Sequence, residues 1–260
     1  LVTVLEELGQ ESPDHGLAAL RFWGQTGDRA AAWMAAADAV YLEPRLDHLC
    51  LHAVPPDSLT ASELRALFDH LQASLGGASG FGFARLGVYG YVTAPEPFAT
   101  PALPASAIDG RRPDAFLPAG DGGAAFRRLL SEIEMALHEH PVNLERQAAG
   151  RPPVNSLWLW GGGVSPEQDT RPMPPLFGDE ALLRGHWLRH TGVAESWPGS
   201  IAACADASVA GFVAVAPAND AEAMPALLVE LRALLQSGRL PRLVLLFRDG
   251  IRVELRRAHG

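Results

Sequence analysis

The chain has 260 residues, 48% hydrophobic and 20% charged, a balance that suits a soluble globule with a sizeable core and excludes a mini-protein needing staples. Acidic residues outnumber basic ones 30 to 21, a formal charge of −9, which argues against a dedicated nucleic-acid binder. All 21 basic residues are arginine, so neither a Walker-type phosphate lysine nor a Schiff-base lysine is available. Two cysteines, Cys50 and Cys204, make no disulfide framework, and the reading is cytoplasmic. No stretch reaches the ~20 apolar residues of a membrane span. Position 1 is Leu, so the native N-terminus is expected to lie upstream of this numbering.

Residues 39–42 and 46–54 read as strands, the second with Leu49, Leu51 and Ala53 on one face. Thr60 with Glu63 three residues later is a capping box that opens a helix, which ends at Gly76 and Gly77. Its stripe is Leu64, Leu67, Phe68, Leu71 and Leu75. Residues 81–93 read as one or two aromatic strands, giving an α+β layer with a helix on one face. The Pro-, Ala- and Gly-rich segment 94–123 is a lobe boundary or a long connection. A helix over 124–140 follows, with Phe126, Leu129, Leu130, Ile133 and Leu137 inward, and Pro141 stops it. Residues 154–160 form an apolar strand that reads as the middle of a sheet, running into Gly161, Gly162 and Gly163. The last third alternates a helix over 180–190, a strand over 209–216, a helix over 222–236 and a strand over 240–247. An Asp249-Gly250 hairpin turn leads to a last strand, 251–256. The pair 209–216 and 240–247 is expected to form a parallel crossover unit.

Several residues bear on chemistry. Asn143, Arg146, Arg151 and Asn155 flank the entry to the 154–160 strand, where arginine forks match phosphate or carboxylate and turn asparagines satisfy backbone groups. The three glycines either let a backbone approach a ligand or form a plain loop, and Trp158 and Trp160 read as core. His48, Cys50 and His52 share one strand face, an N/S set that could hold zinc. Opposite Leu49 and Leu51, the same trio is expected to face solvent, bind no zinc and tolerate substitution. His186 and His190 lie one helical turn apart without the Glu of a His-Glu-x-x-His pattern, and His138 and His140 diverge on a helix. Ser79 is not in a nucleophile elbow.

The stretch from His138 to Gly163 contains His140, Pro141, Asn143, Arg146, Gly150, Pro153, Asn155 and the glycine triplet. It resembles a signature of the archaeal-type, cofactor-independent phosphoglycerate mutases of the alkaline-phosphatase superfamily. Residues 177–192, with Arg184 and Gly185, look like the next block, and the whole chain resembles a bacterial offshoot, the phosphoglycerate-mutase-like or RpfE-type regulatory proteins. The resemblance implies a Ser or Thr nucleophile between two divalent metals, Mn or Mg, held by Asp and His. The Asp-x-x-x-His block expected after the 209–216 strand is absent. Pro217, Ala218, Asn219 and Asp220 stand there, and no histidine follows before His259.

The expected fold class is α/β, a mixed, largely parallel sheet with helices on both faces. An alkaline-phosphatase-like core, or a truncated version of it, is joined by a smaller α+β lobe. One compact unit over 1–260 is expected, with lobes 1–110 and 111–260 as the division. The expected function is that of a mutase-like protein stripped of its metal site, which binds a small phosphorylated or carboxylate ligand, a protein partner or a second copy in a regulatory role, without catalytic residues or cofactors. The alternatives are an active metal-dependent phosphoglycerate mutase or phosphatase, and a zinc-binding protein. No nucleic-acid or membrane partner is expected. Asn143, Arg146, Asn155, Gly161, Gly162, Gly163 and Arg184 are the ligand-binding candidates, expected to converge beside the glycines. Arginines pairing locally instead would make the signature architectural.

Overall fold

The computed structural model describes residues 1–77, 80–120, 122–217, 223–247 and 250–257. Ser79, residues 218–222, Asp249 and His259 therefore lie outside the described residues. Two helices that the patterning did not mark, α1 (Val2–Glu7) and α2 (Leu17–Thr26), open the chain. Packing divides the chain into one unit of residues 13–19 and 29–166 and another of residues 1–12, 20–28 and 167–260, with one division falling inside α2.

The 13–166 unit is built on β1 (Met34–Pro44), five residues longer at its start than the sequence suggested, because an alanine-rich run carries no alternation. It pairs antiparallel with β2 (Leu49–Ala53), β4 (Tyr89–Thr93) and β5 (Ser156–Gly163), and β4 pairs antiparallel with β3 (Gly82–Leu86). Ala36 faces both Tyr91 and Trp160, and Val40 faces both Ala53 and Ser156, so β1 is the central strand. The strand over 154–160 is thus not mid-sheet: among the described residues its ladder partner is β1. Its outer edge meets the 100–101 segment, with Gly161 N–H donating to Pro101 O at 2.7 Å.

Helix α3 (Ala61–Leu75) starts where the capping box puts it: Glu63 N–H donates to Thr60 Oγ1 at 3.1 Å, and Thr60 N–H donates to Glu63 Oε2 at 2.8 Å. Thr60→Ala should cost about 1 kcal/mol in urea unfolding, the usual worth of a side-chain N-cap. The stripe of α3 packs with that of α4 (Gly122–Leu137) on Ala37, Phe83, Val92, Leu157 and Leu159, one core on one sheet face. Burial of this kind stabilises by roughly 1.5–3 kcal/mol per large side chain. Helix α4 ends at Leu137, and Pro141 is the first residue of a further helix, α5 (Pro141–Ala148), capped by His140. His138 and His140 therefore lie beyond the helix on which they were expected. Pro141 is a starter here as well as a stop.

The other unit carries parallel pairing: β6 (Leu176–Phe177) pairs parallel with β7 (Ala194–Glu195) and with β8 (Val213–Ala214). Helix α6 (Ala181–Arg189) joins β6 to β7, so a parallel crossover does exist, one step earlier than expected. After α7 (Ile201–Ala207), β8 and α8 (Ala223–Ser237), strand β9 (Arg242–Leu246) pairs antiparallel with β10 (Arg252–Arg256) rather than parallel with β8. The protein is α/β as read, with a mixed set of strands, and the parallel share is smaller than expected. Within this unit α2 and α6 touch backbone to backbone: a Cβ on Gly185 would sit 1.7 Å from Leu20 O, and one on Gly24 would sit 1.8 Å from Ala181 O. No described helix is long and apolar enough to cross a membrane.

Candidate functional site

The signature residues gather at the start of β5. Asn143, 4% exposed, donates from Nδ2 to Leu137 O at 3.0 Å and Val154 O at 2.8 Å, and accepts from Val154 N–H at 2.8 Å. One amide thus ties the end of α4 to α5 and to the entry of β5. Asn155 exchanges both bonds with the peptide groups of Leu42, at 2.7 and 2.9 Å, standing in for one more rung of the β1–β5 ladder. Arg146, 1% exposed, donates from Nε to Pro152 O at 2.9 Å and from Nη1 to Ser58 O at 3.1 Å. Its charge meets Glu63 Oε1 at 3.5 Å, and the more exposed Arg151 reaches the same oxygen at 2.9 Å. Burial pushes the Glu63 carboxyl up, but hydrogen bonds from Thr60 and Arg151 outweigh it and hold the group below the usual carboxylate range.

The glycines are at the other end of the strand, so the expected convergence does not occur. Ser156 and Gly163 stand at opposite ends of the eight-residue strand β5, roughly 23 Å apart at strand rise. The space a side chain would need at Gly161, whose φ is +62°, is filled by Leu17 Cβ at 2.8 Å, and at Gly163 by Gly16 N at 2.5 Å. Gly16 N–H donates to Gly162 O, and Gly162 N–H donates to Thr100 Oγ1 at 2.7 Å. The triplet is strand, not turn, and the chain's own segment 16–18 lies against it. Arg184 belongs to the other unit, half-buried, donating to Gly178 O at 3.3 Å.

The histidine sets also rearrange. Cys50 is 8% exposed and Leu49 is 37% exposed, so the outward trio with an inward Leu49 is not what the hairpin forms. His48 turns to Asp47 Oδ1 at 2.6 Å, while Cys50 and His52 meet Glu43 of β1. His186 and His190 are 1% and 2% exposed, with ring centroids 4.6 Å apart; His190 Nδ1 contacts Asp169, and among the described residues neither nitrogen of His186 has a hydrogen-bond partner. Sequence reasoning missed Glu63 as the shared counter-charge of two arginines, having assigned it wholly to the cap. It also missed Glu43 and Asp169, which come from elsewhere in the chain.

The resemblance implies two divalent metals, and the cluster of close ligand atoms found among the described residues does not fit them. The group of three close ligand atoms found among the described residues is Glu43, Cys50 and His52. Its single carboxylate with a thiol and an imidazole is a poor match to Mn or Mg, which favour oxygen donors.

Over part of its length this α/β chain is similar to cofactor-independent phosphoglycerate mutases. It is 37% identical over 84 residues to a 2,3-bisphosphoglycerate-independent phosphoglycerate mutase of Methanosarcina acetivorans, covering 32% of this chain and 21% of that one. With the enzyme of the same description from Methanosarcina barkeri it shares 31% over 111 residues, 42% of this chain and 28% of the relative. The chain thus matches between a fifth and three-tenths of the length of these relatives. No family model matches it. Among solved structures, a cofactor-independent phosphoglycerate mutase from Thermoplasma acidophilum aligns with TM-score 0.40 and 19% identity, over 77% of this chain and 57% of that one. The PH0037 protein of Pyrococcus horikoshii aligns with TM-score 0.46 and 15% identity, over 85% and 56%.

Proposed function

We propose that this mutase-like chain is catalytically degenerate and acts by binding a small phosphorylated or carboxylate ligand in a regulatory role. The signature itself is architectural, because the hydrogen bonds of Asn143, Arg146 and Asn155 go to the chain's own backbone and to Glu63. Residues used this way maintain a scaffold whether or not chemistry is done on it. The observation that carries the degenerate reading is the sequence after β8, which lacks the Asp-x-x-x-His block. Arg184 is the arginine the proposal assigns to the anion, since Arg146 is fully engaged inside the fold.

Purified protein given manganese or magnesium should neither interconvert phosphoglycerates nor hydrolyse a generic phosphoester above background. Calorimetric titration with 3-phosphoglycerate should show binding that Arg184→Gln weakens about 10- to 100-fold, the loss of one charge-assisted hydrogen bond of about 1.5–3 kcal/mol. Metal-dependent turnover abolished by a chelator would overturn the reading in favour of an active mutase or phosphatase.

A further inference from the structure

The β1–β2 hairpin brings together three side chains that no local pattern links. Its register sets Glu43 directly across from Cys50 and Tyr41 across from His52, so all four project from one face. One ligand atom each of Glu43, Cys50 and His52 lies within 4.8 Å of the other two, and His52 Nε2 is 2.8 Å from Glu43 Oε2. Tyr41 stacks on the His52 ring at 6.0 Å and 24°, which limits the ring's swing. The platform is firm: Arg45 N–H closes the hairpin on His48 O, and Leu51 exchanges hydrogen bonds with the 110–111 backbone.

We propose that Glu43, Cys50 and His52 form a zinc site with three protein ligands and an open fourth position. The set supplies one O, one S and one N donor, the ligand types Zn²⁺ takes at about 2.0–2.3 Å. Tetrahedral ligands at those lengths stand about 3.4 Å apart, so small rotamer changes bring this group into place. Cys50 lies at the wall of a shallow cleft with Arg45, Leu46, Asp47 and His48, which gives the ion a path to the thiol. Arg45 Nη2, 2.7 Å from Glu43 Oε2, holds that carboxylate in place beside the His52 ring. Binding replaces the thiol proton of Cys50 with the metal and releases that proton to solvent. His48 is not a ligand, because Asp47 holds its ring.

The test is titration of the full chain with Zn²⁺ and, as a spectroscopic stand-in, Co²⁺. One equivalent should bind, and cobalt should show tetrahedral visible bands with a thiolate-to-metal charge-transfer band. Cys50→Ser should abolish the charge-transfer band. His52→Gln and Glu43→Gln should each weaken zinc by more than the roughly 10- to 100-fold that loss of an outer-shell partner costs. His48→Gln should leave affinity and spectrum unchanged. Circular dichroism checks that each variant is folded, and the half-exposed His52 keeps the test open if Cys50→Ser is not. A missing thiolate band, a band that survives in Cys50→Ser, or one lost in His48→Gln would each overturn the three-ligand site.

Discussion

Arg146→Gln should lower unfolding stability by about 3 kcal/mol, a large fraction of the ~5–15 kcal/mol that holds a domain together. The reason is the position of the guanidinium: 1% exposed, it neutralises Glu63 and joins the carbonyls of Ser58 and Pro152, which belong to the segments leading into α3 and β5. Removing one partner of a buried ion pair ordinarily costs about 3–5 kcal/mol. The lower end applies because Glu63 keeps Arg151 and the Thr60 N–H. Arg146→Lys should recover little, since an ammonium cannot present a fork to two carbonyls and a carboxylate. Arg151→Gln, with a side chain 43% exposed, should stay within about 1 kcal/mol. Urea unfolding of the three variants measures this. An Arg146→Gln protein as stable as the parent but deficient in anion binding would return that residue to a ligand pocket.

The same residue shows where a sequence becomes unreadable. The spacing from Asn143 to Asn155 announces a turn between two elements, and both asparagines do satisfy turn and strand backbone. That Arg146 is held by Ser58, 88 residues upstream, is set by tertiary packing and has no local trace. Helix α3 was legible to the residue at its start because its signals are local: a cap, a box partner three residues on, a stripe at helical spacing. The glycine triplet misled for the opposite reason. Three glycines look like a breaker, yet here the strand continues through them, and the 16–18 segment at Gly161 and Gly163 and the Trp33 and Thr100 side chains at Gly162 leave no room for a side chain. Strand direction failed in the same way. Alternation tells which residues share a face, and says nothing of whether the neighbouring strand runs parallel or antiparallel. Glu43 belongs with these cases. His48, Cys50 and His52 looked like the available ligands because they are close in sequence, whereas the hairpin register replaces His48 with a carboxylate from the opposing strand.

The buried histidine of α6 should make stability fall steeply in mild acid. Burial pushes the His186 imidazole down to about 4, with help from the neighbouring His190 and Arg189, while Asp169 pulls the other way. In the unfolded chain the group returns to its ordinary 6.5. Between those values the unfolded state binds the proton and the folded state does not, so stability rises with pH across that window. The contribution is complete above about pH 6.5 and is lost as pH falls towards 4; the difference is worth about 3 kcal/mol at most. His186 is 1% exposed and neither ring nitrogen has a partner among the described residues, so the neutral ring is already a cost to the fold and a charged one is a larger cost. His140, also lowered by burial and by the nearby His70, adds to the slope, while Glu134, raised by burial, opposes it. Comparison with His186→Leu removes both, because they are common to the two proteins. Urea unfolding at intervals from pH 4.5 to 7.5 should show the parent losing stability relative to His186→Leu as the pH drops, with the gap widening below pH 6.5. Parallel pH profiles would mean that His186 gains a partner or a proton inside the fold, and the acid sensitivity would then have to come from elsewhere.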